Sequence, residues 1–388
     1  MAYVSTDHAT NSFFGFHRKA DAIPELDGLR AIAIILVLGR HIFRALHDLN
    51  PGLMVVGGYD FATPFLNGWI GVDLFFVLSG FLISRHLIGR ASRGQSIQMG
   101  AYLSARALRI VPAYLAVLLW VIIGGFPFYT PDVSTVSVLT HLAFLQDYLG
   151  SDIVVAFWSL GVEEKFYIAA PFAVFATLRS ESQFVRYGLL LTLVLMPLFL
   201  RSGALANGLE AGSYADYFPR YRSPFHLTFD GLAIGMLIAF LQADGFGERL
   251  VGLARTAILW SSMLVLVVLS FLEPMMDEIT TFDIIIQPLL ISASFGGILF
   301  AMLNRPDNNP HWLGGRFLFI VAILSYTLYL VHMPLIPLAS VLATAATGSF
   351  NPVLFGLYVL AFSSIAALMV HFLVEKPFLA LKSALATR

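Results

Sequence analysis

Long runs of hydrophobic residues, separated by short polar segments, repeat along almost the whole chain. A bilayer core about 30 Å thick requires roughly 20 apolar residues in a helix that crosses it. A backbone in lipid must also satisfy its own hydrogen bonds, and a helix does so within one segment. The pattern therefore predicts an all-α integral membrane protein, a bundle of about ten transmembrane helices. The predicted segments are 28–46, 68–88, 110–126, 158–178, 187–200, 226–242, 256–272, 284–303, 317–342 and 351–374.

The distribution of Lys and Arg between the connecting segments predicts the orientation. Cytoplasmic loops of membrane proteins carry more of these residues than external loops do. Of the 23 basic residues, 16 lie in the segments on the side of the chain ends, and the opposite loops hold three, all in 201–225. We therefore expect both termini in the cytoplasm. Residues 1–23 and 379–388 are expected to be cytoplasmic tails of a membrane domain over 24–378, with no appended soluble domain.

The composition supports this class and argues against several functions. Hydrophobic residues make up 58% of the 388 residues, charged residues only 12%, and the mean hydropathy is +0.80. A soluble domain has about 25% charged residues. The net charge of −1 argues against a nucleic-acid partner, which would require a basic patch. The absence of cysteine excludes a disulfide framework, a thiolate metal site and a cysteine nucleophile.

Common catalytic motifs are also missing from the sequence. It contains no Walker A loop, no Gly-x-Ser-x-Gly elbow and no His-Glu-x-x-His pair. ATP-driven pumping and serine-hydrolase chemistry on that elbow therefore lack support, and we predict no metal site.

The first predicted helix is unusually polar for a membrane segment. Asp27, Arg30 and His41 lie in or beside it, and ionisable residues at membrane depth need a partner or a function. Arg30 and His41 are three helical turns apart, so they share one face, roughly 16 Å from each other along the axis. The structural alternative is that Arg30 extends to the interface and that His41 is a hydrogen-bonded core histidine.

Acidic residues occur in two other predicted helices. Glu163 and Glu164 precede Lys165, and Tyr167 shares a helix face with Glu163. Asp73 lies near the outer end of the second helix. Ion pairing with Lys165 and capping of a helix by Asp73 are the structural alternatives to chemistry inside the bundle.

Basic and aromatic residues complete the set of candidates. Segment 85–109 holds five Arg and no acid, and Arg106 and Arg109 are neighbours on a helix surface. Either the ordinary cytoplasmic bias explains them, or their guanidinium groups bind the phosphates of a cytosolic ligand. In the ninth predicted helix, Tyr329 and His332 lie along one stripe, where a core histidine is the simpler interpretation for His332.

The order of these motifs resembles that of acyltransferase family 3, polytopic membrane enzymes that modify sugars of bacterial envelopes, among other acceptors. The resemblance extends from about Ile23 to Phe378. Its six motifs are Leu26-Asp27-Gly28-Leu29-Arg30 with His41, Gly71-Val72-Asp73-Leu74-Phe75-Phe76 with Ser79-Gly80-Phe81, Arg106-Ala107-Leu108-Arg109 before Pro112, Trp158-Ser159-Leu160 with Glu163-Glu164, Tyr329-Leu330-Val331-His332, and Val374-Glu375-Lys376-Pro377.

The resemblance implies an O-acyltransferase of the bacterial cytoplasmic membrane. Its donor would be acyl-coenzyme A, with acetyl-coenzyme A expected, and its acceptor a hydroxyl of a sugar or envelope glycan. It also implies that Arg30 and His41 are needed for activity and that Arg106 and Arg109 help to hold the donor.

Two departures from the family matter. Members often have Gln where this chain has Lys165, and a cation there puts proton transfer by Glu164 in doubt. Some members carry an extra hydrolase-like domain that completes acyl transfer outside the cell, so we expect either a separate extracytoplasmic acyl-transfer protein as partner or no such step.

His41 is the expected general base. An imidazole titrates near neutrality, and a hydroxyl acceptor must lose its proton as it attacks the thioester. Asp27 or Arg30 would fix the donor end. Direct transfer is the simplest route, and an acyl-His41 intermediate stays open because an acyl group would have to cross the bilayer.

Two other classes of function compete with this hypothesis. A transporter could use Asp73, Glu163 and His332 as a proton relay, since buried acids and histidines suit that task. A nonenzymatic membrane scaffold would tolerate replacement of its intramembrane polar groups.

Overall fold

The computed structural model describes residues 16, 18, 23–96, 98–248, 252–272, 278–303 and 312–386. Within these ranges the protein is all-helical, apart from the two-stranded antiparallel hairpin of β1 (Val55–Val56) and β2 (Tyr59–Asp60). The predicted helical class is therefore confirmed. Most of the predicted N-terminal tail lies outside the described residues.

The chain forms helices of very different length. In chain order they are α1 (Pro24–Leu49), α2 (Thr63–Leu66), α3 (Gly71–Ser92), α4 (Met99–Ile122), α5 (Thr135–Leu142), α6 (Gln146–Leu149), α7 (Trp158–Leu178), α8 (Gln183–Ala206), α9 (Tyr214–Tyr217), α10 (Phe225–Thr228), α11 (Asp230–Ala243), α12 (Gly252–Phe271), α13 (Thr281–Ile285), α14 (Gln287–Leu303), α15 (Arg316–Thr347), α16 (Pro352–Val370) and α17 (Lys376–Ala386). Turns of 3₁₀-helix cover Asn67–Ile70, Val155–Phe157 and Trp312–Gly314, and π-helical turns cover Phe218–Arg222 and His371–Glu375.

Each of the ten predicted membrane segments overlaps one of the long helices. Six helical stretches among the described residues are long and apolar enough to cross a membrane, namely Thr63–Ser92, Met99–Ile122, Gln183–Ala206, Gly252–Phe271, Arg316–Thr347 and Pro352–Lys382. Helices α1 and α7 carry charged residues within their apolar stretches, and α11 and α14 are shorter apolar helices. The number of about ten membrane crossings stays a prediction, as does the side of the termini.

Burial separates inner helices from outer ones. Among the 18 most apolar consecutive residues of Thr63–Ser92, the stretch that contains α3, 83% are buried. Among the corresponding 18 residues of α12, only 6% are buried. Helix α3 packs against α1, α7 and α11, and α15 packs against α1 and α16. The inner helices α1, α3, α7 and α15 bring the polar residues together, and outer helices present apolar side chains to their surroundings.

Two glycines allow the backbones of α3 and α11 to touch. A Cβ atom at Gly80 would fall on the carbonyl oxygen of Leu232, and one at Gly235 would fall on that of Val77. Because no flexible side chain could move aside, these positions set the distance between the two helices.

Replacing Gly80 with alanine should therefore destabilise the protein by about 1–3 kcal/mol, because α3 and α11 must separate to admit the methyl group. Gly188→Ala in α8 is the matched control, since a Cβ there meets nothing within 4 Å. Thermal unfolding of the purified protein in detergent measures both. Equal unfolding midpoints for the two variants would contradict the assigned contact.

Candidate active site

Three cavities follow one another between the inner helices. The first, here called the basic cavity, has a volume of about 950 Å³ and lies at the end of the bundle where α1 begins. Its wall includes Arg30 from α1, Arg85 and Arg93 from α3, and Arg109 from α4. Five arginines in all and one histidine face this space, so it is suited to an anionic ligand.

The second space, the carboxylate cavity, is smaller, at about 110 Å³. It shares Arg30 and Arg109 with the basic cavity and adds Arg106 and Glu163. Hydroxyl groups fix the Glu163 carboxylate: Ser79 Oγ donates to Oε1 at 3.2 Å and Tyr167 to Oε2 at 2.6 Å. The cavity thus holds one oriented carboxylate beside several cations.

The carboxylate cavity is lined by more positive than negative side chains. Among the described residues, neither Arg30, Arg106 nor Arg109 lies within 4.0 Å of a carboxylate, although other arginines form such pairs. Three guanidinium groups and one partly buried carboxylate therefore line the same small cavity. Unpaired charge in an apolar bundle is costly, so a bound anion would stabilise the arrangement.

The third space, the histidine cavity, has a volume of about 60 Å³ and contains His41 in its wall. It meets the carboxylate cavity at Val72 and Tyr329, which line both. The Tyr329 hydroxyl donates to the carbonyl of Ala156 at 2.5 Å and accepts from Ser159 Oγ at 2.6 Å. Tyr329 is thereby held at the boundary between the two spaces.

Arg30 and His41 thus lie on one continuous helix, as predicted, but in different cavities. The carboxylate cavity lies between the other two cavities, since it shares Arg30 and Arg109 with the basic cavity and Val72 and Tyr329 with the histidine cavity. His332 is fully buried beside His41, with the ring centroids 5.0 Å apart.

A buried ion pair holds Arg222 in the wall of the histidine cavity. The Arg222 guanidinium donates to both oxygens of Asp73 at 2.8 Å, and its carbon lies 4.9 Å and 5.2 Å from the ring centroids of Trp69 and Trp158. Asp73 is 1% exposed and Arg222 4%. The pair ties the π-helical turn that contains Arg222 to the first turn of α3 and keeps it over His41.

Other candidate residues either line none of the three cavities or form ion pairs with neighbouring side chains. Lys165 donates to Asp147 at 2.6 Å and therefore does not form the ion pair with Glu163 or Glu164 that was the structural alternative. Glu164 lines none of the three cavities, and its Oε1 atom is buried without a hydrogen-bond partner among the described residues. Asp27 lines the basic cavity and pairs with Arg18 at 2.9 Å.

The segment 201–225 also contributes to the histidine cavity, and Phe218 is a lining residue that the sequence did not single out. Tyr214 and Phe218 line the histidine cavity together with Arg222. A loop expected outside the membrane folds into the bundle here. The available signal was its content of three arginines, which is unusual for an external segment.

The acyltransferase domain family matches residues 23–371, which is most of the chain. The chain belongs to this acyltransferase family. Among the described residues, no cluster of three or more His, Asp or Glu side chains is arranged to hold a metal ion. No solved structure matches the chain.

Similar proteins include bacterial O-acetyltransferases. The putative peptidoglycan O-acetyltransferase YrhL of Bacillus subtilis is 26% identical over 381 residues, which are 92% of this chain and 54% of that protein. The peptidoglycan O-acetyltransferase OatA of Listeria monocytogenes is 30% identical over 165 residues, 38% of this chain and 24% of OatA. The O-acetyltransferase OatA of Staphylococcus aureus is 29% identical over 167 residues, 39% of this chain and 24% of that protein. The chain thus spans about half the length of the Bacillus relative.

Asp73→Asn tests the buried ion pair, because it leaves the Arg222 guanidinium without a counter-charge. Breaking a buried pair from one side is expected to lower the unfolding free energy by about 3–5 kcal/mol. Asp216→Asn is the matched control in the same segment, since its pair with Arg220 is exposed and should contribute about 0–1 kcal/mol. Detergent unfolding measures both variants, and similar losses would contradict an anchoring role for Asp73.

Proposed function

We propose that this acyltransferase transfers an acetyl group from cytosolic acetyl-coenzyme A to a hydroxyl of an envelope glycan, with His41 as general base. The observation that carries the proposal is the line of three cavities from the arginine-rich end of the bundle to His41. Family membership supports acyl transfer, and the names of the relatives support an acetyl group and a peptidoglycan acceptor.

The donor would bind with its phosphates in the basic cavity. Guanidinium groups grip phosphate oxygens through two parallel hydrogen bonds, and Arg109 belongs to both the basic and the carboxylate cavity. The pantetheine arm would extend past Arg106 toward Tyr329. Along α1, Arg30 and His41 are separated by roughly 16 Å, a span suited to an arm of that kind.

At His41, a ring nitrogen would take the proton of the acceptor hydroxyl as its oxygen attacks the thioester carbonyl. The carbon–sulfur bond then breaks, and the imidazolium returns the proton to the coenzyme thiolate. Direct transfer needs no covalent enzyme intermediate. An acyl group on His41 is the alternative if donor and acceptor enter from opposite sides of the membrane.

The proposal places the basic cavity at the cytoplasmic face of the bacterial inner membrane. About ten helices would then cross the bilayer in the membrane domain over 24–378, with both termini in the cytoplasm. The acceptor would approach the histidine cavity from the other face. A separate extracytoplasmic acyl-transfer protein is the proposed partner if the final acceptor lies beyond reach of His41.

A proton-relay transporter is less well supported than acyl transfer. Asp73, one member of the relay, accepts two hydrogen bonds from Arg222 and is committed to that ion pair. The arginine-lined cavities also suit an anionic ligand better than a proton path.

His41→Ala should reduce acetyl transfer by about 100-fold or more, because a general base typically contributes roughly 10²- to 10⁴-fold. His47→Ala, on the same helix but in none of the three cavities, is the matched control and should keep activity. Transfer of radiolabelled acetyl from acetyl-coenzyme A to muropeptide acceptors in proteoliposomes provides the measurement. Turnover by the His41 variant at the wild-type rate would refute the proposed base.

Arg109→Ala should raise the KM for acetyl-coenzyme A about 10-fold or more, with a smaller change in kcat, because a charged hydrogen bond to phosphate is lost. Arg179→Ala, an exposed arginine near the same end of the bundle, is the control and should leave KM unchanged. The same proteoliposome assay at varied donor concentration separates the two constants. An unchanged donor KM in the Arg109 variant would remove this residue from the donor site.

A further inference from the structure

His332 has a defined tautomer in this fold. Its Nδ1 atom lies 2.8 Å from the carbonyl oxygen of Tyr329 and 3.1 Å from that of Leu328. Carbonyl oxygens only accept hydrogen bonds, so Nδ1 must carry the proton and Nε2 the lone pair. Both carbonyls belong to the preceding turn of α15, which means that the helix itself fixes this tautomer.

The lone pair on Nε2 accepts no hydrogen bond from the described residues. This atom is buried and has no hydrogen-bond partner among the described residues, and His332 as a whole is 0% exposed. Buried polar atoms are nearly always paired, and exceptions call for an explanation. Beside it lies the imidazole of His41, with ring centroids 5.0 Å apart and planes tilted by 50°.

The two neighbouring histidines differ in their access to the histidine cavity. His41 lines the histidine cavity, whereas His332 is absent from its wall. Of the two neighbouring imidazoles, His41 is therefore the one that faces the cavity, with His332 packed beside it.

We propose that His332 is a positioning residue for His41: its Nε2 atom accepts a hydrogen bond from one ring nitrogen of His41 and so leaves the other nitrogen unprotonated toward the cavity. The inference rests on the proposed function, in which His41 is the base. A small rotation of the His41 ring forms the bond. During transfer His41 gains the hydroxyl proton and returns it to the thiolate, while His332 stays neutral and orients the imidazolium.

Variants at position 332 test the role of the acceptor atom. His332→Ala removes it and should lower kcat about 100-fold at an unchanged donor KM, by analogy with other residues that orient a catalytic histidine. His332→Gln places an amide oxygen near the former Nε2 position and should recover activity to within about 10-fold of wild type. Equal activity of the Ala and wild-type proteins, or equal loss in the Ala and Gln variants, would overturn the proposal.

A matched control is provided by His141 in α5. Its Nδ1 atom also bonds a carbonyl one turn back, that of Ser137 at 2.7 Å, and its Nε2 atom is also buried and unpaired among the described residues. No cavity described above includes it. His141→Ala should therefore lower the unfolding midpoint as His332→Ala does, but keep kcat per folded molecule.

The double variant His41→Ala/His332→Ala separates this inference from the proposed function. If His332 acts only through His41, the double variant loses no more activity than His41→Ala alone. A further loss would show that His332 acts independently and would overturn its positioning role. Full activity of His41→Ala would instead refute the proposed base, whatever the His332 variants do.

Discussion

A charge inside an apolar helix bundle is stable only beside a counter-charge or in a space that water or a ligand can fill. Both arrangements, buried ion pairs and charges that face a cavity, occur in separate regions of this protein. Asp73 with Arg222, and Arg201 with Asp230, are fully buried ion pairs. In the carboxylate cavity, Arg30, Arg106 and Arg109 have no carboxylate within 4.0 Å among the described residues. The first solution joins neighbouring segments of the bundle, and the second leaves a space whose positive charge suits an anion.

Helix α1 links these regions because it is continuous from Pro24 to Leu49. Arg30 near its start and His41 farther along keep a fixed separation, so one end of a long ligand and its reacting end can be bound at once. Tyr329, held by Ser159 and the Ala156 carbonyl, divides the path between them. Holding both ends of a substrate in place is the orientation effect from which much catalytic acceleration derives.

The sequence predicted the helices well, because hydrophobic runs report directly on burial in lipid or in the bundle. It also made Arg30, His41 and Glu163 candidates, since an ionisable residue within such a run stands out by composition. It could not show that Lys165 forms an ion pair with Asp147, because that contact depends on how α6 packs beside α7. Nor could it place Arg222 against Asp73, a contact between residues 149 positions apart.

The central claim is that a coenzyme-bound acyl group reaches His41 through the bundle from the arginine-lined end. A cryo-electron microscopy structure with a nonhydrolysable acetyl-coenzyme A analogue tests it most directly. The account predicts phosphate density among the arginines of the basic cavity and the acyl group beside the His41 ring. An analogue bound elsewhere, or one whose acyl end stops short of Tyr329 with the path to His41 closed, would contradict it.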